Sequence, residues 1–134
     1  MTAGKSADLA AKSILIVDGD IISRHAIAAY LRDCAFAVVE AANTDEAKIA
    51  LGEASLNIDV ILCEFSALGS QNGFKLANWV RINRPELEVK LAGGLEKAAE
   101  AAGQLCESGP RLARPYEPDA VVDYVKRLRA TRLS

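Results

Sequence analysis

The chain contains no long apolar run: nothing in it approaches the roughly 20 consecutive apolar residues that a membrane-spanning helix needs. Its opening, MTAGKSADLAAKS, lacks the continuous hydrophobic stretch of a secretory signal. No glycine-rich turn follows the first apolar segment, where DGDIIS stands, so a cradle for nucleotide phosphates is missing. The single histidine, His25, falls inside a helical pattern as a surface or boundary residue, and no nucleophile and base can be paired around it. Three cysteines, Cys34, Cys63 and Cys106, are odd in number, far apart and without metal-ligand spacing. That usage fits reduced thiols in a cytoplasmic protein better than a disulfide framework, and Cys63, beside Glu64, reads as a packing residue. Charge is also nearly balanced, 18 acidic against 16 basic side chains for a net −2, which gives no general reason to expect nucleic-acid binding. Only Lys126, Arg127, Arg129 and Arg132 make the last helical stretch locally basic.

What is present is a regular alternation. With 134 residues, 51% of them hydrophobic, the chain has enough apolar material for one globular domain over residues 13–134, after a flexible leader at 1–12. SILIV, Ser13 to Val17, and VILC, Val60 to Cys63, are short aliphatic runs of the kind buried on both faces of a parallel sheet. FAVVEA and EVKLAGG supply a second and a weaker fourth strand, and RLA, 111–113, a very short fifth. Helical spacing between them places Ile27, Tyr30, Leu31 and Cys34 on one face, then Phe74, Ala77 and Val80, then Val121, Val125 and Leu128. Asp20 or Ser23, Asn43 and Pro118 are suited to helix starts, and Pro85 stops the third helix. Trp79 belongs to the packing of that helix. Strands alternating with helices predict an α/β, flavodoxin-like (βα)5 three-layer sandwich around a parallel five-stranded sheet in the order 2-1-3-4-5.

In such a sheet functional groups collect outside the carboxyl ends of the strands. Asp18, Asp20 and Glu64 stand at such ends. Asp59 starts the third strand, and five residues at about 3.3 Å each place it roughly 16 Å away, at the opposite edge. Converging carboxylates repel unless a cation intervenes, and Arg114 in LARPYEP is the expected partner, at a bend before Pro115 where an X-Pro bond could be cis and so direct the side chain.

Taken together, ILIVDGD, DVILCE, a glycine at position 73 opening a helix and ARPYEP resemble the receiver domain of two-component response regulators, from about Ile14 to Leu128. The resemblance implies two adjacent acids after the first strand, a phospho-accepting Asp after the third, a Thr or Ser after the fourth and a Lys-Pro after the fifth. Here Asp18 matches the first acid and Gly19 replaces the second, with Asp20 one place on. Glu64 occupies the phospho-acceptor position, Ala92 and Gly93 the switch positions, and Arg114 that of the lysine. The aromatic switch residue finds Arg111 or Leu112, and the loop after Glu64 is one residue longer before Gly73. Mg²⁺ demands near-octahedral oxygens, so an added methylene at Glu64 and the loss of an acid at Gly19 weaken any binding at Asp18, Asp20 and Glu64.

The resulting expectation is a stand-alone, atypical receiver: a phosphorylation-independent protein-interaction module, not an enzyme, in which Glu64 pairs with Arg114. No cofactor is expected beyond a weakly held Mg²⁺. The partner would be a protein, namely a histidine kinase, another signalling protein or a second copy, with Lys97, Arg111, Tyr124 and Arg127 as the candidate face and no nucleic acid or membrane involved. Two alternatives remain: a phospho-accepting receiver using Glu64 with Mg²⁺ near Asp18 and Asp20, and, less favoured, a flavodoxin-like enzyme or nucleotide binder.

Overall fold

The computed structural model describes residues 13–109 and 114–133. The leader at 1–12, the expected fifth strand at 111–113, and with it Arg111, lie outside the described residues. Among the described residues, four parallel strands form one sheet in the order β2-β1-β3-β4, with β1 Ser13–Val17, β2 Ala37–Ala41, β3 Val60–Glu64 and β4 Glu88–Ala92. Five α-helices accompany them among the described residues, α1 Ile21–Asp33, α2 Thr44–Leu51, α3 Gly73–Asn83, α4 Leu95–Glu107 and α5 Pro118–Leu133, with one 3-10 turn at Ala54–Leu56. Among the described residues no helix is long and apolar enough to cross a membrane.

β1 is buried along its whole length and β3 everywhere but Glu64, because both are central and both faces are covered. Ile14, Ile16, Val60 and Leu62 point into a core made with α1, α4 and α5. Leu15, Val17, Ile61 and Cys63 point into a second core made with α2 and α3. Side chains that alternate along each strand therefore build two cores back to back. Phe74, expected inside, is exposed, and Leu76 takes its place beside Ala77 and Val80. Trp79 is partly buried against the second core, with the Lys48 ammonium 4.8 Å above its ring.

Helix starts follow local chemistry. Asp20, Asn43 and Asn72 each accept a backbone N–H of the first turn of α1, α2 and α3. The loop from β3 to α3 is pinned to the start of α2: Thr44 N–H donates to the Leu68 carbonyl at 2.8 Å and the Thr44 hydroxyl to that of Gln71 at 2.6 Å.

α5 runs antiparallel to α1. The Tyr30 hydroxyl donates to the Tyr116 carbonyl at 3.0 Å near one end, and the Arg129 guanidinium donates to the Ser23 hydroxyl at 2.8 Å near the other. Since α1 begins at the carboxyl edge of the sheet, the last turns of α5 arrive at that edge.

One expectation is corrected here. Cys34 and Cys106 are joined as a disulfide, not left as thiols, and only Cys63 is free. They stand 72 residues apart in the chain, but α1 and α4 end together on one face, with a Cα–Cα separation of 5.5 Å that suits the bond. The Arg114–Pro115 bond is trans, as is every peptide bond among the described residues.

Gly73 permits the close approach of α3 to the end of β3: a Cβ there would lie 2.4 Å from the Glu64 carbonyl oxygen and 2.6 Å from the Phe65 Cα. Because both are backbone atoms, Gly73→Ala is expected to destabilise the domain by about 1–3 kcal/mol, measured as a lower urea midpoint with unchanged slope.

Candidate functional site

Val17 and Cys63 are register partners on adjacent strands, so Asp18 and Glu64 leave the sheet side by side. Asp59 lies at the other edge, where its carboxylate accepts the Ser13 N–H at 2.9 Å. Each carboxylate of the upper edge has taken a different partner. Asp18 accepts the Asp20 N–H at 2.9 Å. Asp20 caps α1, accepting the Ile22 N–H at 3.2 Å and the Ser23 hydroxyl at 2.7 Å. Its second oxygen is ion-paired to Arg129 of α5.

Glu64 turns outward along the next connection. One oxygen accepts the Gly94 N–H at 2.9 Å and the other the Ser66 hydroxyl at 3.2 Å. Gly94 opens α4 with φ +105, a conformation that favours glycine, so its amide faces the carboxylate at the positive end of a helix. The methylene by which Glu exceeds Asp carries the charge to that amide.

The expected Glu64–Arg114 pair is not formed. Arg114 lies 2.9 Å from Glu107 and 3.4 Å from Glu117, at the far end of α4 from Glu64. The cation that does reach the acidic edge, Arg129, appeared in the sequence only as part of a basic helix end. Its 3.6-residue spacing put it on no particular site until the direction of α5 was known. Another group without a sequence signal is Glu40, at the end of β2, which receives Arg24 at 3.1 Å, His25 at 3.1 Å and Arg32 at 3.4 Å. Burial alone would raise its pKa, but hydrogen bonds from Arg24 and His25 outweigh this and hold it below the usual carboxylate value. Arg24 also donates to the Asp18 carbonyl at 3.0 Å, tying β2 to the edge of β1.

Ala92 is buried in the first core, and Gly93 lies beneath the Phe65 ring, where a Cβ would come within 2.5 Å of the ring carbons. No hydroxyl is present at either position. Phe65 in turn stacks on exposed Phe74, with centroids 5.1 Å apart. The candidate partner residues divide: Lys97 lines an open hollow of about 540 Å³ with Phe65, Lys90 and Glu100, while Tyr124 lines another with Ala26 and Tyr116. Arg127 is exposed on α5.

Among the described residues, no group of three or more His, Cys, Asp or Glu side chains is arranged to hold a metal ion. The donor set explains this, since Asp20 is engaged by a guanidinium and Glu64 by an amide and a hydroxyl, while Asp18 is held by the Asp20 N–H of its own loop. A Mg²⁺ ion at Asp18, Asp20 and Glu64 does not fit this arrangement. The Cys63 thiol is pushed up to about 12 by burial, then by the charges of Glu64 and Asp18, so it carries no thiolate at neutral pH.

No family model and no curated protein matches the chain. Solved structures do. The isolated REC domain of RcsB from Salmonella enterica serovar Typhimurium, in the presence of phosphomimetic BeF₃⁻, is 18% identical over 68% of this chain and 71% of that one, with a TM-score of 0.55. A response regulator receiver protein from Pseudomonas putida is 22% identical over 69% and 78%, with a TM-score of 0.56. A longer RcsB chain from Salmonella typhimurium is 18% identical and covers 89% of this chain, which spans 61% of its length, at a TM-score of 0.57. The fold is thus a parallel α/β fold with its acids on the carboxyl edge. In particular, it is the receiver fold of response regulators.

Asp18 bears the cost of the crowding. Its pKa rises from 3.8 to about 6, through burial first and the Glu64 charge second, against the opposing pull of Arg24 and Arg129. The folded state therefore holds this proton more tightly than the unfolded chain. The contribution to stability is full below about pH 4 and is lost as pH rises through about 6. Complete burial would make this about 3 kcal/mol, which solvent at the partly exposed carboxylate reduces to about 1 kcal/mol. Asp18→Asn keeps the acceptor for the Asp20 N–H, and is expected to stabilise the domain by about 1 kcal/mol at pH 7.5 but not at pH 4, read from urea midpoints at both.

Proposed function

We propose that this chain is an atypical response-regulator receiver that works as a phosphorylation-independent protein-interaction module in two-component signalling. The observation that carries the reading is the ion pair of Arg129 with Asp20, which brings a protein cation to the edge where the resemblance implies a metal ion and a phosphoryl group. Phosphoryl transfer depends on positioning and on neutralising charge. Glu64 meets neither requirement while its two oxygens are bonded to Gly94 and Ser66, and Gly19 supplies no second acid. Ala92 and Gly93 offer a phosphoryl group no hydroxyl, so phosphorylation would have no differential contact through which to shift the domain between two states.

The reading makes the domain a binding partner for a protein, either a histidine kinase, another signalling protein or a second copy, with no enzymatic step and no resident Mg²⁺. A cytoplasmic setting belongs to the same proposal. The exposed Phe65–Phe74 stack, with Leu68 also exposed on the loop that joins the two, gives the acidic edge apolar surface of the kind partner proteins cover.

The full chain is expected to remain unmodified when incubated with Mg²⁺ and a small acyl phosphate, by intact mass, and its melting temperature to be the same with and without Mg²⁺. A phosphoryl adduct that disappears in Glu64→Gln would overturn the proposal in favour of a phospho-accepting receiver.

A further inference from the structure

The Cys34–Cys106 bond lies at the end of the domain opposite the acidic edge, yet both helices that carry it lead there. Cys34 terminates α1, where its N–H reaches the carbonyls of Tyr30 at 3.1 Å and Leu31 at 3.0 Å. The other end of α1 is the Asp20 cap that holds Arg129. Cys106 sits in the last turn of α4, whose first turn is preceded by the Gly94 amide that holds Glu64.

The anchors of α5 lie within one helical turn of the two sulfurs. Tyr30, four residues before Cys34, binds the Tyr116 carbonyl through its hydroxyl and meets the Tyr116 ring edge-on at 4.9 Å. Gly103, three residues before Cys106, presses so closely on Pro118 that a Cβ would come within 2.4 Å of it. The bond thus fixes the two surfaces, one on α1 and one on α4, between which α5 begins.

We infer that Cys34 and Cys106 form a redox-operated clamp: the disulfide holds α4 and α5 where Gly94 meets Glu64 and Arg129 meets Asp20, and reduction releases both helices from that arrangement. The inference rests on the reading of the domain as a module set by something other than phosphorylation, and it names the setting signal as the thiol-disulfide balance. In the oxidising direction, the thiolate of one cysteine attacks a low-molecular-weight disulfide and expels one small thiolate. The second cysteine then attacks the mixed disulfide and expels the other. Two electrons pass from the protein to the small disulfide, and the two cysteine protons end on the two released thiols. A dithiol protein or a small thiol runs the exchange in reverse.

Both sulfurs are buried, but the residues next to them, Ala35, Glu107 and Ser108, are exposed, so opening of the helix ends alone gives access. Cys63 does not compete: it lies in the other core, across the sheet, and its thiol is held protonated.

The test uses the full chain, oxidised with glutathione disulfide and then exposed to a small thiol without denaturant. Alkylation in denaturant followed by intact mass should count one reactive thiol in the oxidised form and three in the reduced form. Amide exchange should rise by about tenfold or more in α4 and α5 on reduction, and by less than about twofold in β1 and β3. Cys34→Ala, with no thiol present, should reproduce the reduced pattern, and the reduced native chain gives the same readout should that variant fail to fold. Three reactive thiols after oxidation, a bond that yields only when the whole domain unfolds, or exchange in α4 and α5 unchanged by reduction would each overturn the clamp. The acyl phosphate experiment reads a mass at Glu64 in either redox state, so the two proposals fail separately.

Discussion

Parallel strands that end in acids bring like charges together, and the arrangement of this domain follows from how each is compensated. Asp18 and Glu64 leave neighbouring strands side by side, and Asp20 follows one turn of chain later. Water alone would separate them poorly at a partly buried edge. The chain spreads the load among unlike groups: an arginine from the last helix for Asp20, a helix-opening amide for Glu64, and a raised proton affinity for Asp18. Removing any one of these returns charge to the other two.

That dependence gives α5 a role that its sequence does not announce. It packs Val121, Val122 and Val125 into the core shared with α1 and α4, and this burial, with the Tyr30–Tyr116 contact, fixes its position along α1. Arg129 then falls at the acidic edge as a consequence of helix length and direction. A guanidinium delivered in this way is permanent, unlike a metal ion or a phosphoryl group, and on the proposed reading it leaves the position of α4 and α5 as the variable that a partner senses.

Element boundaries were largely legible, because they depend on neighbours in the chain. Gly73 to Asn83 and the start at Pro118 follow from glycine and proline punctuation and from apolar spacing. Asp20 and Asn43 act as caps as their chemistry requires. Phe74 was misread because it shares a helical stripe with Ala77 and Val80, and the stripe alone does not tell which of its ends meets the sheet; Leu76, adjacent on the helix surface, does. The placement of Glu64 with Asp18 and of Asp59 at the opposite edge was legible too, since a strand's length converts directly into distance.

The pairings were not legible. Arg114 is nearer to the expected lysine position in sequence than Arg129, yet its side chain goes to Glu107 and Glu117. Cys34 and Cys106 carry no spacing signal across 72 residues and still meet. By itself the sequence determined which segments become strands and helices and which acids stand at the sheet's upper edge, because those properties arise from periodicity and local capping. Only the tertiary structure decided which cation, amide or sulfur each of those groups would face. Such a choice depends on the face and direction in which whole helices pack, and that is set by the sum of many apolar contacts, not by any residue's immediate neighbours.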